Sequence, residues 1–314
     1  MILITGGLGF IGSHVTRALL DLGESCVLVQ RRIPDPNGLI AGEEGSRVFL
    51  EQADVTDQEA LRDIGDRHKI TGIVHLAGGF GLDASDPIGG ARRGTEGLLN
   101  VFQIAAEQGV ARVGVASTIG VYDGPGHSPL REDLPLPLTA GHPIPAAKKV
   151  HELLADFVAG ATGLEIYLMR IGGAWGPLGR PASRFIAAPQ LVHAAVHGRT
   201  LDQPPYAGDG GDLIYVRDCG RAIALLQLAG RLDHRTYNVA AGRVTTNGEL
   251  AAAIADVIPG ARPALRDGRD PDGLGRDIYL DISRLREVTG FEPGYDTPAA
   301  IADYIGWLRS GHER

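Results

Sequence analysis

Apolar residues along the first half of the chain keep two rhythms that alternate. Short runs at residues 1–4, 25–29, 47–50, 72–77, 110–117 and 164–171 are dense in Ile, Leu and Val, the pattern of strands buried on both faces. Between them the spacing becomes helical. Val15, Ala18, Leu19 and Leu22 recur at i, i+3, i+4 and i+7; Leu98, Val101, Phe102 and Ala105 mark a helix from about Gly94, and Val150, Leu153, Leu154 and Phe157 mark one after Pro145. Each of these stripes is expected to face the sheet. Alternation of this kind predicts an α/β fold, a doubly wound parallel sheet joined by right-handed crossovers. Beyond Trp175-Gly176-Pro177 the texture changes to Gly and Pro punctuation, with shorter strand-like runs at 212–216, 237–240 and 278–282. Thr246 and Glu249 have capping-box spacing ahead of a helix carrying Leu250, Ile254 and Val257. Residues 259–275, rich in Arg, Asp, Gly and Pro, read as a loop or mobile cover.

The turn between the first strand and the first helix reads Thr5-Gly6-Gly7-Leu8-Gly9-Phe10-Ile11-Gly12. Strand, glycine-rich turn and helix in that order are the context of a dinucleotide-phosphate site. Gly6 allows the tight turn, Gly9 lets the backbone approach a pyrophosphate, and Gly12 lets helix and strand pack closely, while the helix start at Phe10 and Ile11 offers N–H groups to the anion. At the end of the second strand an acidic residue would hydrogen-bond an adenosine 2′-hydroxyl. The chain has Gln30-Arg31-Arg32 instead. Two guanidiniums suit a 2′-phosphate, which favours NADP(H) over NAD(H) and leaves dual use open. The expected division is a cofactor-binding region over residues 1–174, to which later segments return, and a smaller mixed α/β region over residues 175–314 that mainly holds substrate.

Composition narrows the partners. A formal charge of -8 over 314 residues provides no basic stripe for nucleic acid. No apolar run approaches the roughly 18 residues of a membrane span, and a first strand beginning at Met1 leaves no room for a signal peptide. Cys26 and Cys219, far apart in sequence, read as buried thiols of a cytoplasmic protein. His193 and His197 have chelating i, i+4 spacing without an evident third ligand, so no metal is expected. Arg92-Arg93 reads as a solvated helix cap and a weak candidate for substrate contact.

Taken together, residues 5–12, Asp54-Val55, His75-Leu76-Ala77, Ser117-Thr118 with Val121-Tyr122, Lys148, Arg170 with Gly176-Pro177, Asn238-Val239 and the ending around Asp281 to Trp307 resemble an extended short-chain dehydrogenase/reductase, over essentially the whole chain. The resemblance implies a Rossmann core and NAD(P)-dependent epimerase, dehydratase, decarboxylase or ketoreductase activity on a small molecule. It implies that Asp54 and Val55 flank adenine, that Ala77 lies near the cofactor's ribose, that Lys148 binds the nicotinamide ribose, and that Leu76, Gly78, Ile171 and Gly173 also border the cofactor. Members often pair through two core helices, which makes a homodimer an open expectation.

Two departures from the family pattern bear on chemistry. The family's catalytic pair is a Tyr followed four residues later by a Lys, and the residue four before Lys148 is Ile144. Thr118 then remains to hydrogen-bond the reacting oxygen, and Tyr122 and His142 become candidates for the missing acid; His151 is expected to face solvent. Phe80, Ile144 and Trp175, with Tyr122 and His142, would line a flatter, more apolar pocket. The second departure is Gly211, standing where nucleotide-sugar members carry an Arg that grips the diphosphate. The reading placed first is an NAD(P)H-dependent ketoreductase for an aromatic polyketide or quinone-type ketone, whose own neighbouring hydroxyl assists protonation; it resembles the atypical angucyclinone ketoreductases. The second is a nucleotide-sugar epimerase or dehydratase with a non-standard acid, and the third a catalytically silent NADP-binding sensor.

Overall fold

The computed structural model describes residues 1–33, 38–78, 85–123, 128–183, 185–273 and 277–314. Elements follow in the order β1 (Ile2–Thr5), α1 (Phe10–Asp21), β2 (Cys26–Gln30), β3 (Val48–Gln52), α2 (Gln58–Arg67), β4 (Gly72–His75), α3 (Pro87–Glu107), β5 (Arg112–Thr118), α4 (Pro143–Thr162) and β6 (Glu165–Ile171). A second series comprises α5 (Ala188–Val196), β7 (Gly210–Asp212), α6 (Val216–Leu228), β8 (Thr236–Val239), β9 (Val244–Thr246), α7 (Asn247–Val257), α8 (Ser283–Thr289) and α9 (Thr297–Arg309). Seven strands form one parallel sheet in the order β3-β2-β1-β4-β5-β6-β8. This is the Rossmann-like α/β fold. The order reverses beside β1, and the crevice beyond the strand C-termini at such a switch point is where ligands bind in open α/β sheets.

One apolar core lies on the face covered by α1 and α6, with Ile4, Leu28, Val74 and Met169 pointing into it from the sheet. The opposite face carries Leu3, Val27, Ile73 and Val113 against Leu98, Val101, Phe102 and Ala105 of α3. A third cluster joins α5, α7 and α9 around Trp175 and Tyr304. The later segments return to the sheet: β8 extends it beyond β6, and α6 packs on α1. Among the described residues no helix is long and apolar enough to cross a membrane.

Four expectations change. The helix around Gly94 begins earlier, at Pro87, because Asp86 caps it by accepting the Gly89 N–H. The run at 212–216 splits into the end of β7 and the start of α6. Residues 278–282 form a single bridge, Leu280 to Leu130, since the Asp212 carboxylate takes the Leu280 N–H. Most consequential is α4, which turns its apolar stripe outward: Leu153 and Phe157 are 66% and 70% exposed, while Lys149, His151, Glu152, Ala155 and Ala159 are buried. The capping box at Thr246 and Glu249 forms as its spacing requires.

Candidate active site

β1 ends at Thr5 and runs into a loop that closes tightly on itself. Gly6 adopts φ +74°, and the Gly9 N–H returns to its carbonyl (2.9 Å). Gly9 then caps α1 with no side chain, and the Ser13 N–H is the first to bond back to it, so the N–H groups of Phe10, Ile11 and Gly12 point out of the helix start. A Cβ at Gly12 would stand 2.1 Å from the Gly6 oxygen, and one at Gly6 would stand 3.2 Å from the Ala77 nitrogen. A helix N-terminus capped by Gly9 without a side chain fits a dinucleotide pyrophosphate.

The ends of β2 and β3 form the corner beside this loop, where the adenosine end was expected. Gln30, oriented with its amide oxygen toward the glycine loop, accepts from the Leu8 N–H (2.6 Å) and the Gly7 N–H (3.1 Å). Arg31 and Arg32 are exposed, and Arg31 Nε lies 3.9 Å from the Asp54 carboxylate. Asp54 also accepts from the Thr56 N–H and hydroxyl, while the Val55 carbonyl accepts from Asn100 of α3 (3.1 Å), so this corner is held from both sides. The Thr5 hydroxyl accepts the Ala77 N–H (3.1 Å) and pairs with His75 Nδ1 (2.8 Å), tying residues 76–78 to β1. Phe80 lies outside the described residues.

Beyond the switch point, the turn at 119–122 touches the first turn of α4: a Cβ at Gly120 would be 2.8 Å from Pro145 Cγ. This contact brings Thr118 toward Ile144 and Lys148, the latter two one turn apart on a single helix face. The Thr118 oxygen accepts from the Gly120 N–H (3.2 Å), leaving its O–H to donate. Behind Lys148 lies a polar layer that periodicity did not reveal. Glu152 accepts from Arg170 (Nη2, 2.7 Å; Nε, 3.1 Å) and from the Ser117 hydroxyl (2.5 Å). His151 is buried rather than exposed, because the helix face it shares with Glu152 packs on the sheet. Burial pushes Lys148 down to about 8 against the pull of Glu152. Burial, with Lys148 adding to it, pushes His151 down to about 4 and His75 down to about 3.

The remaining candidates separate. Tyr122 is buried, donates to Asn238 Oδ1 (2.8 Å) and lies under the Arg170 guanidinium, so its proton is committed to the sheet and burial raises its pKa. His142 caps α4 by accepting from the Ile144 N–H (3.2 Å), and its ring meets exposed Phe185 edge-on at 5.5 Å. Trp175, expected to line the pocket, is 2% exposed, because Tyr215 and Tyr304 enclose its ring in the core of the smaller layer. The Gly173 N–H is taken by the Asp212 carbonyl (2.8 Å), which fixes β7 over the end of β6, where Ile171 is buried. His193 pairs with the Tyr304 hydroxyl, and Arg93 pairs with Asp86 at the start of α3.

Residues 259–275 are tied down along part of their length. Arg266 stacks on Tyr206 (4.2 Å to the ring centre) and donates to the Pro204 carbonyl (2.7 Å), while the Gly208 N–H donates to the Gly268 carbonyl (2.7 Å). Arg269 lies beside Gly208 and pairs with Asp277 (2.6 Å). Arg266 therefore holds this stretch against residues 204–206, while the Arg269 guanidinium is paired with Asp277, a placement that spacing alone gave no sign of.

The model of the NAD dependent epimerase/dehydratase family matches residues 2–240. UDP-glucose 4-epimerase of Azospirillum brasilense is 28% identical, over 98% of this chain and 92% of its own length. dTDP-glucose 4,6-dehydratase of Streptomyces griseus is 27% identical, over 98% and 93%. A solved double mutant of dTDP-glucose 4,6-dehydratase from Streptomyces venezuelae, with NAD bound, superposes with a TM-score of 0.79 at 26% identity, over 99% of this chain and 97% of that one. These relatives overturn the expectation of a ketoreductase for aromatic polyketide or quinone-type ketones and favour the reading placed second. That expectation leaned on Trp175 as a pocket wall, which the core encloses, and on Gly211 as a lost diphosphate contact. By its sequence over most of its length, and by the glycine cradle at the head of its sheet, the chain belongs to the NAD dependent epimerase/dehydratase family.

Proposed function

We propose that this chain is an NAD(P)-dependent enzyme acting on the sugar of a nucleotide sugar, oxidising a ring carbinol and returning the hydride, as in epimerisation or the opening and closing steps of a dehydration. The observation that carries this reading is the likeness to a nucleotide-sugar epimerase and a nucleotide-sugar dehydratase over more than nine-tenths of each relative. When bound, the nicotinamide supplies the hydride acceptor and donor. The loop from Gly6 to Gly12 holds the pyrophosphate, Asp54 and Val55 border adenine, and the Thr118 O–H donates to the reacting oxygen, where charge develops. A diphosphate taken from water needs cationic or N–H partners. Arg266 and Arg269, beside residues 204–208, are the cations this reading assigns to it.

Incubation of the protein with UDP-glucose or dTDP-glucose and NAD⁺ or NADP⁺, followed by proton NMR, is expected to reveal a 4-epimer or a 4-keto-6-deoxy sugar. Calorimetry is expected to give a sub-millimolar Kd for at least one of the two. Failure of both to bind below millimolar concentration overturns the reading.

The same reading extends to cofactor choice. Gln30 brings no negative charge to repel a 2′-phosphate, and Arg31 and Arg32 stand exposed beside it. Charge-assisted hydrogen bonds contribute about 1.5–3 kcal/mol each. The double variant Arg31→Ala, Arg32→Ala is therefore expected to weaken NADP⁺ binding more than tenfold and NAD⁺ binding by less than threefold. An unchanged ratio of the two Kd values removes these side chains from the 2′-phosphate.

The same reading extends to a homodimer through α3 and α4. These helices pack side by side, and their outer faces expose Ile88, Leu99, Val150, Leu153 and Phe157. Ile88, Arg92, Glu96 and Leu99 share one groove on α3, so a two-fold axis would bring apolar residues together and Arg92 toward the other copy's Glu96. Light scattering is expected to give the mass of a dimer for the parent chain and of a monomer for the Leu153→Glu, Phe157→Glu double variant. A monomeric parent chain excludes the pairing.

A further inference from the structure

The arm of chain that leaves β6 for the smaller layer is pinned at both of its ends. On one side it runs beside residues 212–216. The Trp175 N–H donates to the Ile214 carbonyl (3.2 Å), the Val216 N–H donates to the Trp175 carbonyl (2.8 Å), and the Tyr215 ring fills the space that a side chain on Gly176 would need. On the other side the next three residues lie against the first two turns of α1. His14 Nε2 is 3.0 Å from the Pro177 carbonyl, and since a carbonyl only accepts, that nitrogen carries the proton. A Cβ on Gly179 would stand 3.2 Å from two carbons of the Phe10 ring, which in turn meets His14 edge-on at 6.4 Å. α6 holds α1 at the same level, where a Cβ on Gly220 would be 2.6 Å from the His14 carbonyl. Between the two contacts with α1, Leu178 adopts φ +68°. Of the two non-glycine residues with positive φ among the described residues, Asp123 has the short polar side chain that tolerates it and Leu178 does not. Such a conformation persists only where the surrounding contacts impose it.

We infer that Phe10, His14 and Leu178 are positioning residues for the cofactor: the turn at 176–179 is a clamp, reaching back from the smaller layer, that seats the start of α1 and with it the N–H groups assigned to the pyrophosphate. The inference rests on the reading of the loop from Gly6 to Gly12 as a dinucleotide cradle. Phe10 belongs to both parts, since its N–H is one of the groups at the helix start and its ring is what Gly179 packs against. Gly9 caps α1 without a side chain, so no cap side chain fixes the direction of these N–H groups from within the loop. The clamp fixes it from outside. The left-handed Leu178 is what lets the Pro177 carbonyl reach His14 while Gly179 lies on Phe10; a relaxed backbone at 178 redirects the chain after Pro177 and gives up one of the two contacts. On this inference the part of the chain that holds the cofactor does not end at residue 174, because the arm that follows completes it.

Calorimetric titration with NADP⁺ and NAD⁺, well below the melting temperature of each variant, tests the clamp, because a change that lowers only global stability leaves the Kd of the folded molecules where it was. His14→Leu leaves the buried Pro177 carbonyl without its donor and is expected to weaken both cofactors by about tenfold. His14→Gln, whose amide can donate from a similar position, is expected to restore most of that loss. At residue 178 two substitutions are expected to diverge. Leu178→Val, β-branched and more strongly excluded from the left-handed region, weakens binding by about tenfold, whereas Leu178→Gly, which enters that region without strain, keeps the parent Kd and melts above Leu178→Val. Parent-like Kd values for His14→Leu and Leu178→Val overturn the clamp and leave the cradle in place. Equal losses in the Val and Gly variants also overturn it, since they trace the effect to the Leu178 side chain and not to its backbone. Where His14→Leu does not fold, the pair at 178 decides alone. A parent chain that binds neither cofactor below millimolar concentration overturns the cradle reading, and the clamp with it.

Discussion

Gly12→Val is expected to remove measurable cofactor binding, and Gly12→Ala to weaken it more than tenfold. Helix propensity points the other way, since exchanging a helical Gly for Ala contributes about 1 kcal/mol of stability. Sterics decide the sign. The first added carbon would lie 2.1 Å from the Gly6 oxygen and 2.9 Å from Gly7 Cα, and both obstacles are backbone atoms that cannot rotate aside. Relief requires the loop to move off the start of α1, which separates the N–H groups proposed to bind the pyrophosphate. Overpacking of this kind costs about 1–3 kcal/mol, or roughly one to two decades in affinity where the displaced atoms are the binding site. Gly306→Ala supplies the control, because that position in α9 faces open space. It is expected to raise the melting temperature slightly and leave NAD(P)⁺ titrations unchanged; equal binding losses in the two Ala variants would dissociate the glycine loop from the cofactor.

Acid is expected to unfold the protein well above the pH at which ordinary carboxylates titrate. Burial pushes His14 and His151 down to about 4 and His75 down to about 3, from 6.5. Below pH 6.5 the unfolded chain takes up three protons that the folded chain refuses, so stability is full above that pH and falls as the pH drops toward 4. Asp212 works against them. Burial raises its carboxyl to about 6, so the folded chain binds its proton more readily and gains stability below that value. Three protons less one leaves two, or about 3 kcal/mol of stability lost per pH unit near pH 5. Denaturant midpoints measured from pH 8 to pH 4 test this, and His151→Gln is expected to reduce the slope by about half. A midpoint flat to pH 4.5 contradicts the buried, neutral state of these rings.

The glycine loop, the strand series and the capping box were legible because each rests on local geometry: a turn that needs glycine, a run of β-branched residues, a four-residue cap. The Lys148 layer was not. Its members come from β1, β4, β5, β6 and α4, brought together by the sheet order, and no spacing along the chain relates Thr5 to His75 or either to His151. A sign was nonetheless present within α4, where Lys148, His151, Glu152, Ala155 and Ala159 make a second helical stripe, small and polar beside the apolar one. Reading apolar as inward chose the wrong face, because the stripe that packs on the sheet is the small and polar one. Trp175 was misread for a related reason: a large ring after a strand end suits a pocket wall and a core equally, and only Tyr215 and Tyr304 decide between them.

The late return of β8 bears on how the chain is made. Synthesis from the N-terminus delivers the first six strands with β6 as an open edge, and its partner follows only after the 64 residues that separate Ile171 from Thr236. In that interval Arg112 also waits, because three of its acceptors are carbonyls at the end of α6. An open strand edge is a template for pairing with another chain. On the ribosome this chain passes through a stage at which its sheet is sticky on one side, so nascent chains stalled before residue 236 should be clients of chaperones and full-length chains should not.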